Sequence, residues 1–298
     1  MECNPIWDRM LGTCFILCIL IGVPTNAVAL GYFLTRKKKN LPNKLYISIC
    51  CIDICTVLLI PFPIAISCFN NRYPVLFNNE IFCEASNDIF SYLHKISMFL
   101  VMLLSFTRCF AIAFPFIFQS VNKKKIFLAF PMYMLVLLVQ LVFVTMKTSV
   151  VYSSTSLYCF YGNKNLSWTI INNILQGIEI GVPPFVCFIS FLVCMIKLAS
   201  STPIESSGQQ NKEAAVTVTM FTGIFLICNL PLFVNMVFVT ITNAFYTYPG
   251  PLFSSKFMYW YSWPIFKYLF TVLNATLNPV LYYYRMAGMR RWTKYFVS

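Results

Sequence analysis

Charge is what this sequence has least of. Only 10% of its 298 residues are Asp, Glu, Lys or Arg, where a soluble domain carries about 25%. That scarcity excludes a soluble globular chain, because too little polar surface exists to cover a composition that is 59% hydrophobic. Acids are scarcer than bases, 9 against 22, which leaves a formal charge of +13. Histidine occurs once, and neither HExxH nor Gly-x-Ser-x-Gly is present. No metal-binding or His-dependent nucleophile constellation is evident, and the chain does not read as an enzyme. Internal repeats of the kind many transporters show are absent, as is any low-complexity tract. The single linker-like stretch, SSTPIESSGQQN at 200–211, leaves one domain, 1–298, as the simplest organisation.

Long apolar runs are abundant. Seven are long enough to cross about 30 Å of hydrocarbon as helices: approximately 10–34, 45–68, 81–114, 126–146, 170–196, 214–242 and 257–284. The third is interrupted by Glu84, Asp88, His94 and Lys95. The expected fold is an all-α membrane protein, a seven-transmembrane helix bundle with a short amphipathic helix at the C-terminus, over 286–296. The first run is too long for the apolar core of a signal peptide and no small-residue cleavage site follows it, so it reads as a span that also directs insertion.

Orientation follows from the bases. With the amino terminus outside, 15 of the 22 fall on the cytoplasmic side, including Arg36 to Lys39, Lys123 to Lys125, Arg290 and Arg291. The positive-inside rule selects that topology, a multi-pass plasma-membrane protein with an extracellular amino terminus. Bases next to spans favour anionic membrane lipid as partner, not nucleic acid. Asn165-Leu-Ser167 falls in the second outer loop and fits an N-glycosylation acceptor. Of the 13 cysteines, most lie inside apolar runs and read as small hydrophobes.

Two ionisable residues stand out within spans. Asp53 lies in SICCIDICTVLLIPF, and Arg108 in LLSFTRCFAIAF without an acid beside it. Arg108 follows Cys83 by 25 residues, about 38 Å of helix. Cys83 therefore sits at the outer end of the third span and Arg108 at its inner end.

With Asn26 in GVPTN of span one, Asp53 in span two, Cys83 and Arg108 bracketing span three, Pro183-Pro184 in span five, FLICNLP in span six and NPVLY in span seven, the chain resembles the rhodopsin-like (class A) G protein-coupled receptors. The resemblance runs from Met10 to about Phe296. It implies a receptor that passes an extracellular small-molecule or short-peptide signal to a heterotrimeric G protein. It also implies a disulfide between Cys83 and Cys159. Activation and coupling then fall to Thr107, Arg108, Phe225, Asn229, Pro231, Asn278, Pro279 and Tyr282. No cofactor is expected beyond an allosteric sodium ion held by Asp53, Ser97, Asn274 and Asn278; the other reading of Asp53 is a protonated, hydrogen-bonded carboxyl.

Some positions depart from the family pattern. Thr107 stands where an acid usually precedes the arginine, so Arg108 is expected to be weakly restrained, or caught by Glu213 or the Tyr282 hydroxyl, with ligand-independent signalling as the consequence. Asn229 replaces the usual tryptophan of span six and is expected to extend the polar pocket near Asp53. The ligand cavity is expected to draw on Phe90, Ser91, His94, Lys95, Glu179 and Lys267. There Lys95 and Glu179 either pair as a structural element or leave Lys95 to attract an acidic ligand. Phe90 in place of an aspartate argues against an amine ligand. The alternatives are a non-coupling scavenger or dimer partner and, less well supported, a small-solute transporter.

Overall fold

The computed structural model describes residues 5–36, 40–59, 61–70, 80–147, 149–151, 160–162, 166–200, 216, 219–231, 233–234, 263–285, 289 and 293. Nine helices are described: α1 (Pro5–Thr35), α2 (Leu41–Leu59), α3 (Pro61–Asn70), α4 (Glu80–Ala113), α5 (Pro115–Ser120), α6 (Lys123–Lys147), α7 (Leu166–Ser200), α8 (Thr219–Pro231) and α9 (Trp263–Arg285). Helices predominate because hydrocarbon offers no water to a backbone N–H or C=O, and a helix satisfies both within one segment.

The second span, read as continuous from the sequence, is two helices. Pro61 opens the second of them, α3; a proline has no N–H to continue the preceding ladder, but at a helix start none is needed. The same device begins α5, where Pro115 stands at the first position. The fourth to sixth runs became α6, α7 and the described part of α8. Between α6 and α7 lies an element the sequence did not announce, an antiparallel pair of short strands, β1 (Ser149–Val151) on β2 (Phe160–Gly162), with Val150 opposite Tyr161. Of the tail beyond α9, Met289 and Thr293 are described; Met289 is buried and accepts a hydrogen bond at its carbonyl from Thr293 Oγ1, 3.2 Å.

The bundle packs around α4, which touches α2, α6 and α7, while α1 lies against α2, α3 and α9. Two apolar clusters result. One, near Arg108, joins Phe33, Leu45, Tyr46, Leu100, Leu104, Phe221, Phe225 and Tyr282. The other, at the opposite end, joins Leu11, Phe15, Val57, Phe90 and Val272. Large side chains such as Leu20, Phe185, Ile196 and Ile227 point away from the bundle, as lipid-facing residues do. Cys14, Cys51 and Cys55 are exposed among them, whereas Cys18, Cys50, Cys187, Cys194 and Cys228 pack inside as small apolar groups.

Gly22 permits the close approach of α1. A Cβ built there would stand 2.8 Å from Thr276 Oγ1 of α9 and 3.0 Å from Val57 Cγ1 of α2. The Thr276 hydroxyl is itself fixed, donating to Val272 O at 2.9 Å. One turn on, Asn26 Nδ2 donates to Gly22 O at 2.9 Å and to Ala275 O at 3.0 Å, so the same seam carries a polar tie between α1 and α9. Overpacking such a contact costs about 1–3 kcal/mol, more than the roughly 1 kcal/mol of helix propensity gained on replacing glycine by alanine. Gly22→Ala should lower the melting temperature of the detergent-solubilised protein, and Gly22→Leu should lower it further together with surface expression; a stabilised Gly22→Ala would show that the seam is slack.

Candidate functional site

Asp53 is fully buried. Asn278 Nδ2 of α9 donates to its Oδ2 at 2.7 Å, and Ser97 Oγ of α4 reaches its Oδ1 at 3.5 Å. Three helices thus converge on one carboxyl. Asn274 lies one turn before Asn278 on α9 and is also buried. Neither Asn274 Oδ1 nor Asn278 Oδ1 has a hydrogen-bond partner, and Thr56 Oγ1, one turn along α2, has none either. Buried carbonyl oxygens left without donors beside a carboxyl are the donor set that a hard cation prefers, so the residues fit a sodium ion. Asn229, expected to enlarge this pocket, donates its Nδ2 to Phe225 O of its own helix at 2.8 Å. An amide in an apolar helix commonly satisfies itself on the carbonyl four residues back.

At the other end of α4, Thr107 is buried with Oγ1 on Leu104 O, 3.0 Å away, and so faces its own helix and not Arg108. Arg108 is half-buried. It lies close to the Tyr46 hydroxyl of α2, and its Nε is buried without a hydrogen-bond partner. The expectation that the Tyr282 hydroxyl would catch Arg108 is overturned, since that hydroxyl has no hydrogen-bond partner. Its ring is held in an aromatic cluster. Tyr46 meets Tyr282 edge-on at 5.0 Å and stacks on Phe33 at 4.8 Å, and Phe221 of α8 lies over Tyr282 at 5.8 Å. Glu213 lies outside the described residues.

Tyr46 was not anticipated. A signal existed: it precedes Asp53 by seven residues on α2, two helical turns, which puts it on the same inward face. Phe225 is fully buried, Pro279 is buried and Pro231 half-buried.

Toward the opposite end of α4, Lys95 and Glu179 of α7 form an ion pair, Nζ to Oε2 2.5 Å, with side chains 10% and 12% exposed. The contact is ionic, without the alignment of a hydrogen bond. Tyr133 of α6, stacked on Phe99 at 4.0 Å, lies beside Glu179. Phe90 and His94 occupy the neighbouring face, their rings parallel at 5.9 Å, and Phe90 meets Tyr268 of α9 edge-on at 4.3 Å. Ser91 is half-buried on the same turn. Cys83 and Lys267 lie within α4 and α9, but their side chains, like Cys159 and Asn165, lie outside the described residues.

Removing one member of a buried pair strands the other and costs about 3–5 kcal/mol, whereas replacing both with apolar groups is close to neutral. Glu179→Gln is therefore expected to reduce thermal stability and surface expression sharply, and Lys95→Met/Glu179→Leu to restore both. A Glu179→Gln variant as stable as the wild type would mean that the pair has no structural role.

The family model for the 7 transmembrane receptor (rhodopsin family) matches residues 25–282. Proteinase-activated receptor 2 of Bos taurus is 23% identical over 292 residues, spanning 94% of this chain and 70% of that receptor. The human proteinase-activated receptor 2 is 23% identical over 285 residues, 91% of this chain and 67% of its own. Human melanocortin receptor 5 is 29% identical over 102 residues, 33% of this chain and 28% of that receptor. The match of a family model from the first span through the NPVLY segment of the seventh shows that this chain belongs to the rhodopsin family of seven-transmembrane G protein-coupled receptors.

Proposed function

We propose that this receptor sits in the plasma membrane with its amino terminus outside and passes a small-molecule or short-peptide signal to a heterotrimeric G protein through Arg108. The observation that carries the reading is the arginine's setting. It lies five residues before the end of α4, half-buried, with no acid at position 107, and the group beside it is a neutral phenol, Tyr46. A phenol restrains a guanidinium less firmly than a carboxylate, because no opposite charge is involved. Arg108 is thus available to a partner that enters beside it, and ligand-independent signalling follows. The basic residues flanking it favour anionic lipid at the same face.

The ligand enters at the other end of the bundle, where Phe90, Ser91 and His94 lie on α4 and Tyr268 of α9 meets Phe90. The Lys95–Glu179 pair beneath them is structural. Asp53, Ser97, Asn274 and Asn278 would hold a sodium ion, whose charge lets the Asp53 carboxylate stay ionised while buried. An outer disulfide between Cys83 and Cys159 and a glycan on Asn165 complete the reading.

Ligand-free G protein activation at matched surface expression tests the coupling role. Wild type should exceed mock, Arg108→Ala should abolish the signal and Thr107→Asp should lower it. Tyr46→Phe, which removes the phenol oxygen beside the guanidinium, should raise it several-fold; an unchanged Tyr46→Phe signal would remove the phenol from the restraint. For the ion, the purified receptor should melt a few degrees higher in sodium than in choline salt, and Asp53→Asn should melt alike in both. Equal melting of the wild type in the two salts would leave Asp53 a protonated carboxyl.

A further inference from the structure

We infer that Ser105 and Thr222 form an uncharged latch between the third and sixth spans that sets how readily they part at the Arg108 end. The inference rests on the receptor reading above. Ser105 Oγ of α4 and Thr222 Oγ1 of α8 lie 2.8 Å apart, both essentially inaccessible. Hydroxyls in membrane helices ordinarily satisfy themselves on a carbonyl three or four residues back. Thr25, Thr107 and Thr276 all do so here, on Ile21, Leu104 and Val272. Ser105 and Thr222 instead bond to each other across the bundle. The buried Cys187 thiol of α7 lies near the same Ser105 hydroxyl.

Position makes this contact a latch. Ser105 precedes Arg108 by three residues, less than one helical turn. Thr222 lies nine residues before Pro231, about 13 Å along the helix. Pro231 lacks the N–H that would tie that turn to the one below, and the Thr222 segment can swing about it. The two helices cannot separate beside Arg108 until the hydroxyls part, and no water stands ready in hydrocarbon to replace the bond. A hydrogen bond of this kind biases the closed arrangement by only about three- to tenfold. It holds the bundle shut where the third span has Thr107 in place of an acid, but holds it lightly.

The test uses the full-length receptor in lipid nanodiscs. Spin labels carried on unnatural amino acids at Ala113 and Met220 report the distance between the third and sixth spans, and ligand-free G protein activation is measured on the unlabelled forms. Thr222→Val, which keeps the side-chain shape, and Ser105→Ala should each shift the distance distribution toward longer separations and raise activation about three- to tenfold. The double variant should go no further than either single, and Thr222→Ser should behave as wild type. Unchanged distances in both single variants overturn the latch, whatever the wild-type signalling. Longer distances without activation in any form support the latch and overturn coupling instead.

Discussion

The absence of water from the hydrocarbon layer governs this molecule. A polar group inside the bundle does best with a partner on another residue, because an unsatisfied group costs several kcal/mol there. The polar residues are consequently few and tied across helices. Asn26 joins α1 to α9, Asp53 joins α2 to α4 and α9, Lys95 pairs with Glu179 of α7, Ser105 bonds to Thr222 of α8, and Arg108 leans on Tyr46 of α2. These contacts orient helices whose outer faces are uniformly apolar and would otherwise slide or rotate at little cost.

Helix α4 is the axis of that network. Lys95, Ser97, Ser105 and Arg108 all lie on it, directed to α7, α2, α8 and α2 in turn, and the helix packs against α2, α6 and α7. Between the tied groups the packing is apolar, with Ile96, Leu100, Leu104 and Phe225 fully buried. The two ends differ in kind: one closes with an ion pair and stacked rings around Phe90, the other with a neutral phenol and a pair of hydroxyls. Charge holds the first end and uncharged groups hold the second.

The departures from the family pattern become intelligible in this light. Thr107 turns to its own backbone, and Phe33, Tyr46, Phe221 and Tyr282 pack as an aromatic cluster at that end of the bundle. Asn229 likewise satisfies itself on Phe225 O. Each polar substitution is absorbed locally, so the bundle tolerates it.

The sequence by itself determined the seven spans, the position of Arg108 at the end of the third, and Asp53 as a buried carboxyl, since these depend on hydropathy and on the fixed rise of a helix. The family resemblance alone placed Ser97 and Asn278 around Asp53, and both reach its carboxyl. Only the tertiary structure decided that Lys95 and Glu179 pair, that Tyr46 and not Tyr282 faces Arg108, that Ser105 meets Thr222, and that the second span divides at Pro61. The physical reason is the range of the signal. Periodicity and hydropathy report which face of a helix is inward, but a hydrogen bond between residues 117 positions apart depends on the rotation and depth of two helices, and those are set by the packing of all the others.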